Sequence, residues 1–516
     1  MNDTSVATAS PPRTKATAMT SARVRRYVPR LIAFGTGALL TCSFAPLQWW
    51  PFAIVCPAVL MYLWEGVAPR EAAWRGFWFT FGTFLFGVYW IYYGLHDKGD
   101  VPAWIALGLV FALSFIMGLY HALLGYSIAR WLPSKGLLRW IAGMPAAWVF
   151  IEWWRGWFLS GFSWLSLGYT QTDTWLSSLA PVIGVYGLSA LLLVSAGALV
   201  ALVLGSKRDR IVAAAVLVVP WIVALPLRGI EWTQPAGPSV RVAIAQGNIP
   251  QNEKWLLSNR DATLDIYRKM AESAFGTPLI VFPESSLPDV ADQFADYLTQ
   301  LYRDASRRDS SVVLGVLRRD DRENYYNSVL SLGQKVQWYD KDHLVPFAEF
   351  FPVPGFVRSW LKVMSLPYSD FSRGGADQPP LNAGGLKLAA TICYEDGYGS
   401  SQLAVLHAAN ALVNVTNDAW FGQGSARYQH FQIARMRAIE SQRFMLRAAN
   451  DGISAVIGPH GEVVAEAPEF QRFVLRSEVT PRAGLPPYAR VGNWFVILLA
   501  SAGVLIAARR RRAAKA

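Results

Sequence analysis

The chain has 516 residues, of which 53% are hydrophobic and 13% aromatic, and only 16% are charged. Soluble proteins carry about 25% charged residues, so this composition excludes a disordered chain and argues against a soluble one. Lys and Arg outnumber Asp and Glu by 48 to 36, a formal charge of +12. Such a charge can indicate a nucleic-acid partner, but the long apolar runs argue against a soluble nucleic-acid binder. The composition predicts a membrane protein that carries a further domain.

Eight apolar segments approach the roughly 20 residues that a helix needs to cross a bilayer. Seven of them lie in the first half of the chain and one lies near its end. The first is predicted to be an uncleaved anchor, because no small-residue cleavage site for a signal peptide follows it. The sequence therefore predicts a seven-helix transmembrane domain at 30–227 and an eighth transmembrane helix at 491–508. The predicted spans are 30–46, 50–66, 73–94, 102–131, 138–158, 182–205, 210–227 and 491–508.

Basic residues are concentrated on one side of these predicted spans. Lys and Arg are frequent in the N-terminus at 1–29, in the tail at 509–516 and in alternate short connections. In the other short connections, Lys98 is the single basic residue. Cytoplasmic loops of membrane proteins carry such an excess of positive charge. Both termini are therefore expected in the cytoplasm, and the long segment 238–480 is expected on the extracytoplasmic side.

The segment 238–480 has the composition of a soluble domain, with slightly more acidic than basic residues and no run long enough to span a bilayer. Short β-rich runs alternate with stretches of helical periodicity, which favours a layered α/β fold. An aromatic loop at 350–371, with Phe350, Phe351, Phe356, Trp360 and Phe371, is predicted to be a mobile, apolar lid. The predicted strands are Val240–Ala245, Leu279–Phe282, Ser311–Val316, Ser328–Leu332, Leu386–Ile392, Ala411–Val415 and Ser454–Ile457, and the predicted helices are Leu256–Phe275, Ala291–Asp309, Ser401–Ala409 and Tyr428–Ala449.

Three predicted strands end in chemically reactive side chains. Glu284, Lys341 and Cys393 each follow a β-rich run, where functional groups of α/β folds tend to lie. A thiol needs a base to become a thiolate, and the oxyanion that forms on attack needs a cation or amide donors. A carboxylate, an ammonium and a thiol are thus the minimum set for acyl transfer through a thioester. Each residue alone also has an ordinary structural explanation, so the hypothesis depends on the three together.

The sequence around these residues resembles that of a known family. The motifs Phe282–Ser285, Lys341–Glu349 and Ile392–Glu395 resemble the Glu-Lys-Cys motifs of the nitrilase (carbon-nitrogen hydrolase) superfamily. Together with Gln246–Pro250 and Asn414–Gly422, and with the membrane topology, they resemble more narrowly the apolipoprotein N-acyltransferase family. One local departure is Ala348, where a glycine often precedes the glutamate.

The resemblance implies a nitrilase-like αββα sandwich on the periplasmic side of a bacterial inner membrane. It implies transfer of an acyl chain from a phospholipid, typically phosphatidylethanolamine, to the N-terminal amine of the lipidated cysteine of a lipoprotein. By the same resemblance Glu284 is the general base, Cys393 the nucleophile and Lys341 the oxyanion stabiliser. Glu349 and Glu395 match further acidic positions of the family's site, but holding loops by hydrogen bonds is an equally open role. Tyr394, Trp255 and Trp420 match aromatic positions that line the site, with ordinary packing as the alternative.

Two other functions remain open from the residues alone. A membrane-tethered amidase or nitrilase would use the same triad with water as the acceptor. A transporter or scaffold with a degenerate domain is disfavoured, because the spans show no inverted repeat and hold few polar residues. The six histidines have no metal-ligand spacing and no phosphate-binding glycine loop is present, so no metal, nucleotide or other cofactor is expected.

Overall fold

The computed structural model of the chain describes residues 15–346, 348–350 and 371–513. Three aromatic residues of the predicted lid, Phe351, Phe356 and Trp360, lie outside the described residues. The first half of the basic N-terminal segment and the last three residues of the tail lie outside them as well.

The membrane half of the chain is helical, and a helix lies at each of the eight segments predicted to span the bilayer. The helices of the first half end at Leu227, and the closing helix packs back against the fifth. A short helix, Pro487–Val491, precedes the closing one. The long helices are α1 (Lys15–Leu40), α2 (Phe52–Leu63), α3 (Pro69–Gly87), α4 (Ala103–Trp131), α5 (Met144–Arg155), α6 (Ala180–Leu204) and α7 (Lys207–Leu227), with the closing helix at Trp494–Ala513.

Within the described residues, three helical segments are long and apolar enough to cross a membrane by length and composition. They are Ala103–Trp131, Trp175–Leu204 and Lys207–Leu227. The helix Phe52–Leu63 is apolar but has only 12 residues, less than the roughly 20 that a straight crossing requires. The fold therefore supports a membrane-spanning helical domain, and the number of crossings is taken up as a proposal below.

The described residues of the second half form two six-stranded sheets and one small two-stranded sheet. The strands are β1 (Gln234–Pro235), β2 (Val240–Gln246), β3 (Leu279–Val281), β4 (Ser311–Arg319), β5 (Tyr325–Leu332), β6 (Val336–Asp340), β7 (Leu381–Ala383), β8 (Leu386–Ile392), β9 (Ala411–Thr416), β10 (Met445–Ala449), β11 (Ala455–Ile457), β12 (Val463–Glu466), β13 (Phe473–Val479) and β14 (Arg482–Ala483). The strand orders of the large sheets are β13-β2-β3-β4-β5-β6 and β12-β11-β10-β9-β8-β7, and the small sheet pairs β1 with β14. The centre of each large sheet is parallel, β2-β3-β4 in the first and β8-β9-β10 in the second.

The two sheets pack face to face, with helices on both outer surfaces. Between the sheets, Val242 and Val281 of the first meet Ile392 and Val413 of the second in a buried core. The helices α8 (Arg260–Ala274) and α9 (Ala295–Ser306) cover the first sheet, and α10 (Ala426–Ser441) covers the second. Burying both faces of a parallel sheet requires this layering. The predicted αββα sandwich is confirmed.

The predicted strands all have counterparts, but two predicted helices are wrong. The helix predicted at 428–449 ends at Ser441, where Gln442 adopts a left-handed φ of 45°, and Met445–Ala449 is the buried strand β10. A fully buried strand has no alternation of polar and apolar residues, so periodicity cannot distinguish it from a helix. The segment predicted as a helix at 401–409 consists of turns, and β7, β12 and β13 were not predicted.

The helix α10 joins the sandwich to the helical domain. Its side chains Phe431 and Ala434 pack on the second sheet, whereas Met436 belongs to the core of the membrane helices. On the membrane side, Gly184 has a φ of 64° and breaks α6, and the Val185 N–H donates to Oε1 of Glu440 at 2.7 Å. The break thus supplies a backbone donor to the sandwich at the place where the two halves meet.

Candidate active site

The three reactive residues predicted from strand ends come together at one edge of the sandwich. Glu284 follows β3, Lys341 directly follows β6, and Cys393 directly follows β8. The strand β6 is antiparallel to β5, which is antiparallel to β4, so β6 runs in the same direction as β3. Nζ of Lys341 lies 4.0 Å from Oε1 of Glu284, and the charges of both residues act on the Cys393 thiol.

Close backbone packing fixes Glu284. A side chain on Gly315 of the neighbouring strand would lie 2.6 Å from the Glu284 Cα, so only glycine fits there. The fully buried ammonium of Lys254 donates to the Glu284 carbonyl at 3.1 Å, and burial lowers the pKa of Lys254 to about 8. The Glu284 carboxylate is left to face Lys341 and Asn327.

Lys341 is buried and lies between two carboxylates. Its Nζ donates to Oε1 of Glu349 at 2.9 Å, and the other oxygen of Glu349 accepts the Val345 N–H at 2.7 Å. Burial alone would lower the pKa of Lys341, but the charges of Glu349 and Glu284 raise it above the ordinary value. The side chain is therefore an ammonium at neutral pH, the form that stabilises a developing oxyanion.

Asn327 links the two carboxylates and was not identified from the sequence. Its Nδ2 donates to Oε1 of Glu284 at 2.8 Å and to Oε1 of Glu349 at 2.8 Å. The residue lies on β5, two strands away from β3, so only the sheet order brings it to the site. Nothing in the local sequence distinguishes it from Asn324 in the preceding turn.

Cys393 lies in a strained turn and its thiol is protonated at rest. Its φ is 50°, a left-handed conformation that costs a non-glycine residue about 1–2 kcal/mol. Burial first, and then the negative charge of Glu284, raise the pKa of the Cys393 thiol, while Lys341 acts in the opposite direction. A thiol in this state becomes nucleophilic only when a neighbouring base removes its proton. The arrangement can therefore perform base-assisted nucleophilic attack on a carbonyl.

Both halves of the chain match families of known proteins. A family described as the apolipoprotein N-acyltransferase N-terminal domain matches residues 36–198, and the carbon-nitrogen hydrolase family matches residues 241–483. Apolipoprotein N-acyltransferase of Methylococcus capsulatus is 39% identical over 490 residues, which cover 94% of this chain and 97% of that protein. The enzyme of the same name from Chromobacterium violaceum is 40% identical over 489 residues, which cover 94% of each chain. The chain belongs to the apolipoprotein N-acyltransferase family. It is an acyltransferase with a carbon-nitrogen hydrolase domain.

Solved structures of other proteins align with about half of this chain. A carbon-nitrogen hydrolase from Helicobacter pylori G27 aligns with a TM-score of 0.37 at 15% identity, covering 47% of this chain and 89% of its own. An amidase from Nesterenkonia sp. aligns with a TM-score of 0.36 at 19% identity, covering 51% of this chain and 94% of its own.

Of the two further glutamates that match the apolipoprotein N-acyltransferase pattern, Glu395 has the geometry of a structural residue. Its carboxylate is fully buried and accepts the N–H groups of Asp342 at 2.8 Å, His343 at 3.0 Å and Ile392 at 2.8 Å, together with the Tyr339 hydroxyl at 3.0 Å. Burial raises the pKa of Glu395 to about 7. The side chain thereby ties the segment after Lys341 to the end of β8, whereas Glu349 contacts the Lys341 ammonium itself.

A buried polar network beneath Cys393 was missed by sequence reasoning, although the apolipoprotein N-acyltransferase motif Asn414–Gly422 contains part of it. Arg447 of β10 is fully buried and donates to Asn414 Oδ1 at 2.9 Å and to Asp418 Oδ2 at 2.9 Å. It also donates to Oδ2 of Asp396 at 3.4 Å. Arg447 was not predicted because its strand was assigned to a helix.

The three aromatic positions of the apolipoprotein N-acyltransferase pattern differ in their surroundings. Tyr394 is buried, its hydroxyl donates to the Gly161 carbonyl at 3.2 Å, and its ring stacks on Trp164 with centroids 6.2 Å apart at 8°. Trp255 and Trp420 are instead 45% and 39% exposed. Tyr394 therefore connects the Cys393 turn to the helical domain, whereas the other two rings are partly open to solvent.

Proposed function

We propose that this chain transfers an acyl chain from a membrane phospholipid, through a thioester on Cys393, to the N-terminal α-amine of the lipidated cysteine of an apolipoprotein. The relatives' name specifies an N-acyl transfer to apolipoproteins. The donor is proposed to be phosphatidylethanolamine, and the acceptor a diacylated lipoprotein.

The first half-reaction forms the thioester. Glu284 takes the proton of the Cys393 thiol, and the thiolate attacks the carbonyl carbon of the donor ester. The carbonyl oxygen becomes an oxyanion beside the Lys341 ammonium. When the tetrahedral intermediate collapses, the C–O bond to the glycerol oxygen breaks and Glu284 returns the proton to this leaving group. A lysophospholipid leaves and the acyl chain stays on sulfur.

The second half-reaction forms the amide. The acceptor amine attacks the thioester carbonyl, Glu284 removes a proton from the attacking nitrogen, and Lys341 again faces the oxyanion. Collapse breaks the C–S bond, and the departing thiolate of Cys393 recovers the proton from Glu284. The cycle restores all three residues and needs no cofactor.

The observation that carries this function is the contact of the nucleophile's turn with the helical domain. Tyr394, directly after Cys393, donates to the Gly161 carbonyl, and Tyr398 donates to the same carbonyl at 3.2 Å. Each CH₂ of an acyl chain costs about 0.8 kcal/mol to move into water. A site built against the ends of membrane helices lets the ester carbonyl reach sulfur while the tail stays in lipid, which a soluble hydrolase does not require.

The proposed topology has eight spans, with both termini in the cytoplasm and the sandwich on the periplasmic side of a bacterial inner membrane. The distribution of Lys and Arg supports it, as do the helices at all eight predicted segments. In this topology the sandwich is anchored at both ends, by α7 and by the closing helix Trp494–Ala513.

Intact-mass spectrometry tests the function. The wild-type chain in phospholipid vesicles is expected to gain the mass of one acyl chain, and to lose it when a diacylated lipopeptide is added. Cys393→Ala should gain nothing, whereas Cys42→Ala, which removes a thiol of the helical domain, should behave as wild type. A wild-type chain that gains no acyl mass would contradict the thioester.

The membrane-tethered hydrolase gives a different product pattern. It would release free fatty acid at the same rate with or without lipopeptide, because water is its acceptor. The transferase is expected to form N-acylated lipopeptide and little fatty acid.

A further inference from the structure

His430 of α10 lies directly behind the nucleophile and uses both ring nitrogens. Its Nε2 is 3.1 Å from the carbonyl oxygen of Cys393, and its Nδ1 is 2.8 Å from Oδ1 of Asp418. The side chain is only 2% exposed, and its ring packs on that of Trp164 with centroids 5.5 Å apart. Both contacts of the ring are therefore buried in the protein.

The two partners determine which protons the ring carries. A carbonyl oxygen and a carboxylate oxygen both accept hydrogen bonds, so each ring nitrogen must donate. An imidazole that donates from both nitrogens is the doubly protonated imidazolium. Asp418 suits this cation, because its Oδ2 accepts from the buried Arg447 at 2.9 Å, which leaves Oδ1 as the acceptor for His430.

The acceptor atom in this contact is the main chain of the nucleophile. Cys393 has a φ of 50°, which persists only if its surroundings hold it there. Its carbonyl is held by His430 and, at 3.4 Å, by Nδ2 of Asn414. Rotation of this peptide would move the direction of the Cβ–Sγ bond relative to Glu284 and Lys341.

We propose that His430, as an imidazolium paired with Asp418, is a positioning residue that holds the Cys393 turn in the conformation from which the thiolate attacks. It acts through the Cys393 carbonyl and does not touch the acyl group. The proposal rests on the proposed function, because it concerns the geometry of that nucleophile.

The same turn of α10 connects this positioning group to the helical domain. The residue before it, Gln429, accepts the indole N–H groups of Trp90 at 3.1 Å and of Trp164 at 2.8 Å through Oε1. Trp164 also packs on Tyr394 and on His430. The main chain of the nucleophile is thus fixed relative to the outer ends of the membrane helices through a single helical turn.

Three variants test the role of His430. His430→Leu removes both donors, His430→Gln keeps one donor for the Cys393 carbonyl but no charge, and His407→Gln changes an exposed histidine outside the site. Misplacing a reacting atom by about 1 Å can cost about 100-fold in rate. In His430→Leu we expect kcat for thioester formation from phospholipid to fall about 100-fold, with KM nearly unchanged. The fall in kcat should be smaller in His430→Gln. In His407→Gln kcat should stay at the wild-type value.

The protonation state of His430 can be measured without enzymatic turnover. In chain labelled with ¹⁵N-histidine, the signal that disappears in His430→Gln should show two protonated ring nitrogens at pH 7. An unprotonated ring nitrogen in the His430 signal would contradict the imidazolium form of His430. A kcat of His430→Leu within threefold of wild type would contradict the positioning role. A His430→Gln variant as active as wild type would also overturn the need for charge. If the wild type forms no thioester, the proposed function fails. The ¹⁵N spectrum still tests whether His430 donates to both Asp418 and the Cys393 carbonyl.

Discussion

The ammonium of Lys341 contacts the carboxylate of Glu349 at 2.9 Å, whereas the carboxylate of Glu284 lies 4.0 Å away. The nearer carboxylate is therefore the counter-ion of the lysine. Glu284 remains free to exchange a proton with the thiol, because it is not the main partner of the cation. We therefore propose separate tasks for the two glutamates, charge compensation for Glu349 and proton transfer for Glu284.

Glu349→Gln is expected to reduce thioester formation by about 100-fold, the loss typical of a disturbed oxyanion donor. The amide cannot compensate the Lys341 charge, so the ammonium should move toward Glu284 and form an ion pair with the proposed base. Single-turnover acylation by phospholipid measures the loss. Glu272→Gln, an exposed residue of α8, is the control and should retain the wild-type rate. A Glu349→Gln enzyme that is acylated at the wild-type rate would show that Glu349 has no role in thioester formation.

The pH dependence of thiol alkylation separates the roles of Glu284 and Lys341. The charge of Glu284 raises the pKa of Cys393 and that of Lys341 lowers it. Glu284→Gln should therefore shift the alkylation of Cys393 by iodoacetamide to lower pH, and Lys341→Met should shift it to higher pH. Both variants should lose phospholipid acylation, although the thiol stays accessible.

Opposite shifts in the two variants would support the predicted arrangement of charges. Unchanged profiles in both would mean that neither charge reaches the thiol. Cys42→Ala provides the background measurement, because it removes another half-buried thiol without changing the charges at the site.

The fold class and the three reactive residues could be predicted because each is encoded locally. Apolar runs indicate membrane helices, and a strand end followed by Glu284, Lys341 or Cys393 is visible in a few residues. Several residues that form hydrogen bonds around Glu284, Lys341 and Cys393 lie far from them in the sequence. Asn327 reaches Glu284 through the order of the strands, and Arg447 lies on a strand that periodicity assigned to a helix.

Asn327→Asp is expected to be more harmful than Asn327→Ala. In the wild type one amide nitrogen donates to both Glu284 and Glu349, so alanine removes two hydrogen bonds. Aspartate adds a third carboxylate beside two others in a buried site, so repulsion between like charges should disturb the site further. We expect thioester formation to fall about 10-fold for alanine and further for aspartate. Asn382→Asp on the exposed part of β7 is the control for the added charge.

Asp418→Asn should reduce stability in a pH-dependent way. The carboxylate is buried between His430 and Arg447, and losing one partner of a buried pair costs about 3–5 kcal/mol. Because the pKa of Asp418 is lowered in the folded state, its stabilisation is complete above the unfolded pKa of about 3.9 and is lost as pH falls below it. The gap in melting temperature between wild type and variant should thus narrow as pH falls from about 4 toward 3. Asp377→Asn, an exposed change, should show no such gap.

Gln429→Leu should weaken the junction between the two halves of the chain. The substitution leaves the buried indole N–H groups of Trp90 and Trp164 without their acceptor, at a cost of about 1–3 kcal/mol each. We expect a loss of roughly 2–6 kcal/mol in unfolding free energy, measured by denaturation in bicelles, while exposed Gln423→Leu should be nearly neutral. In a background with Trp90→Phe and Trp164→Phe the indole donors are absent, so Gln429→Leu should cost clearly less. Equal costs in both backgrounds would show that the two indoles do not depend on Gln429.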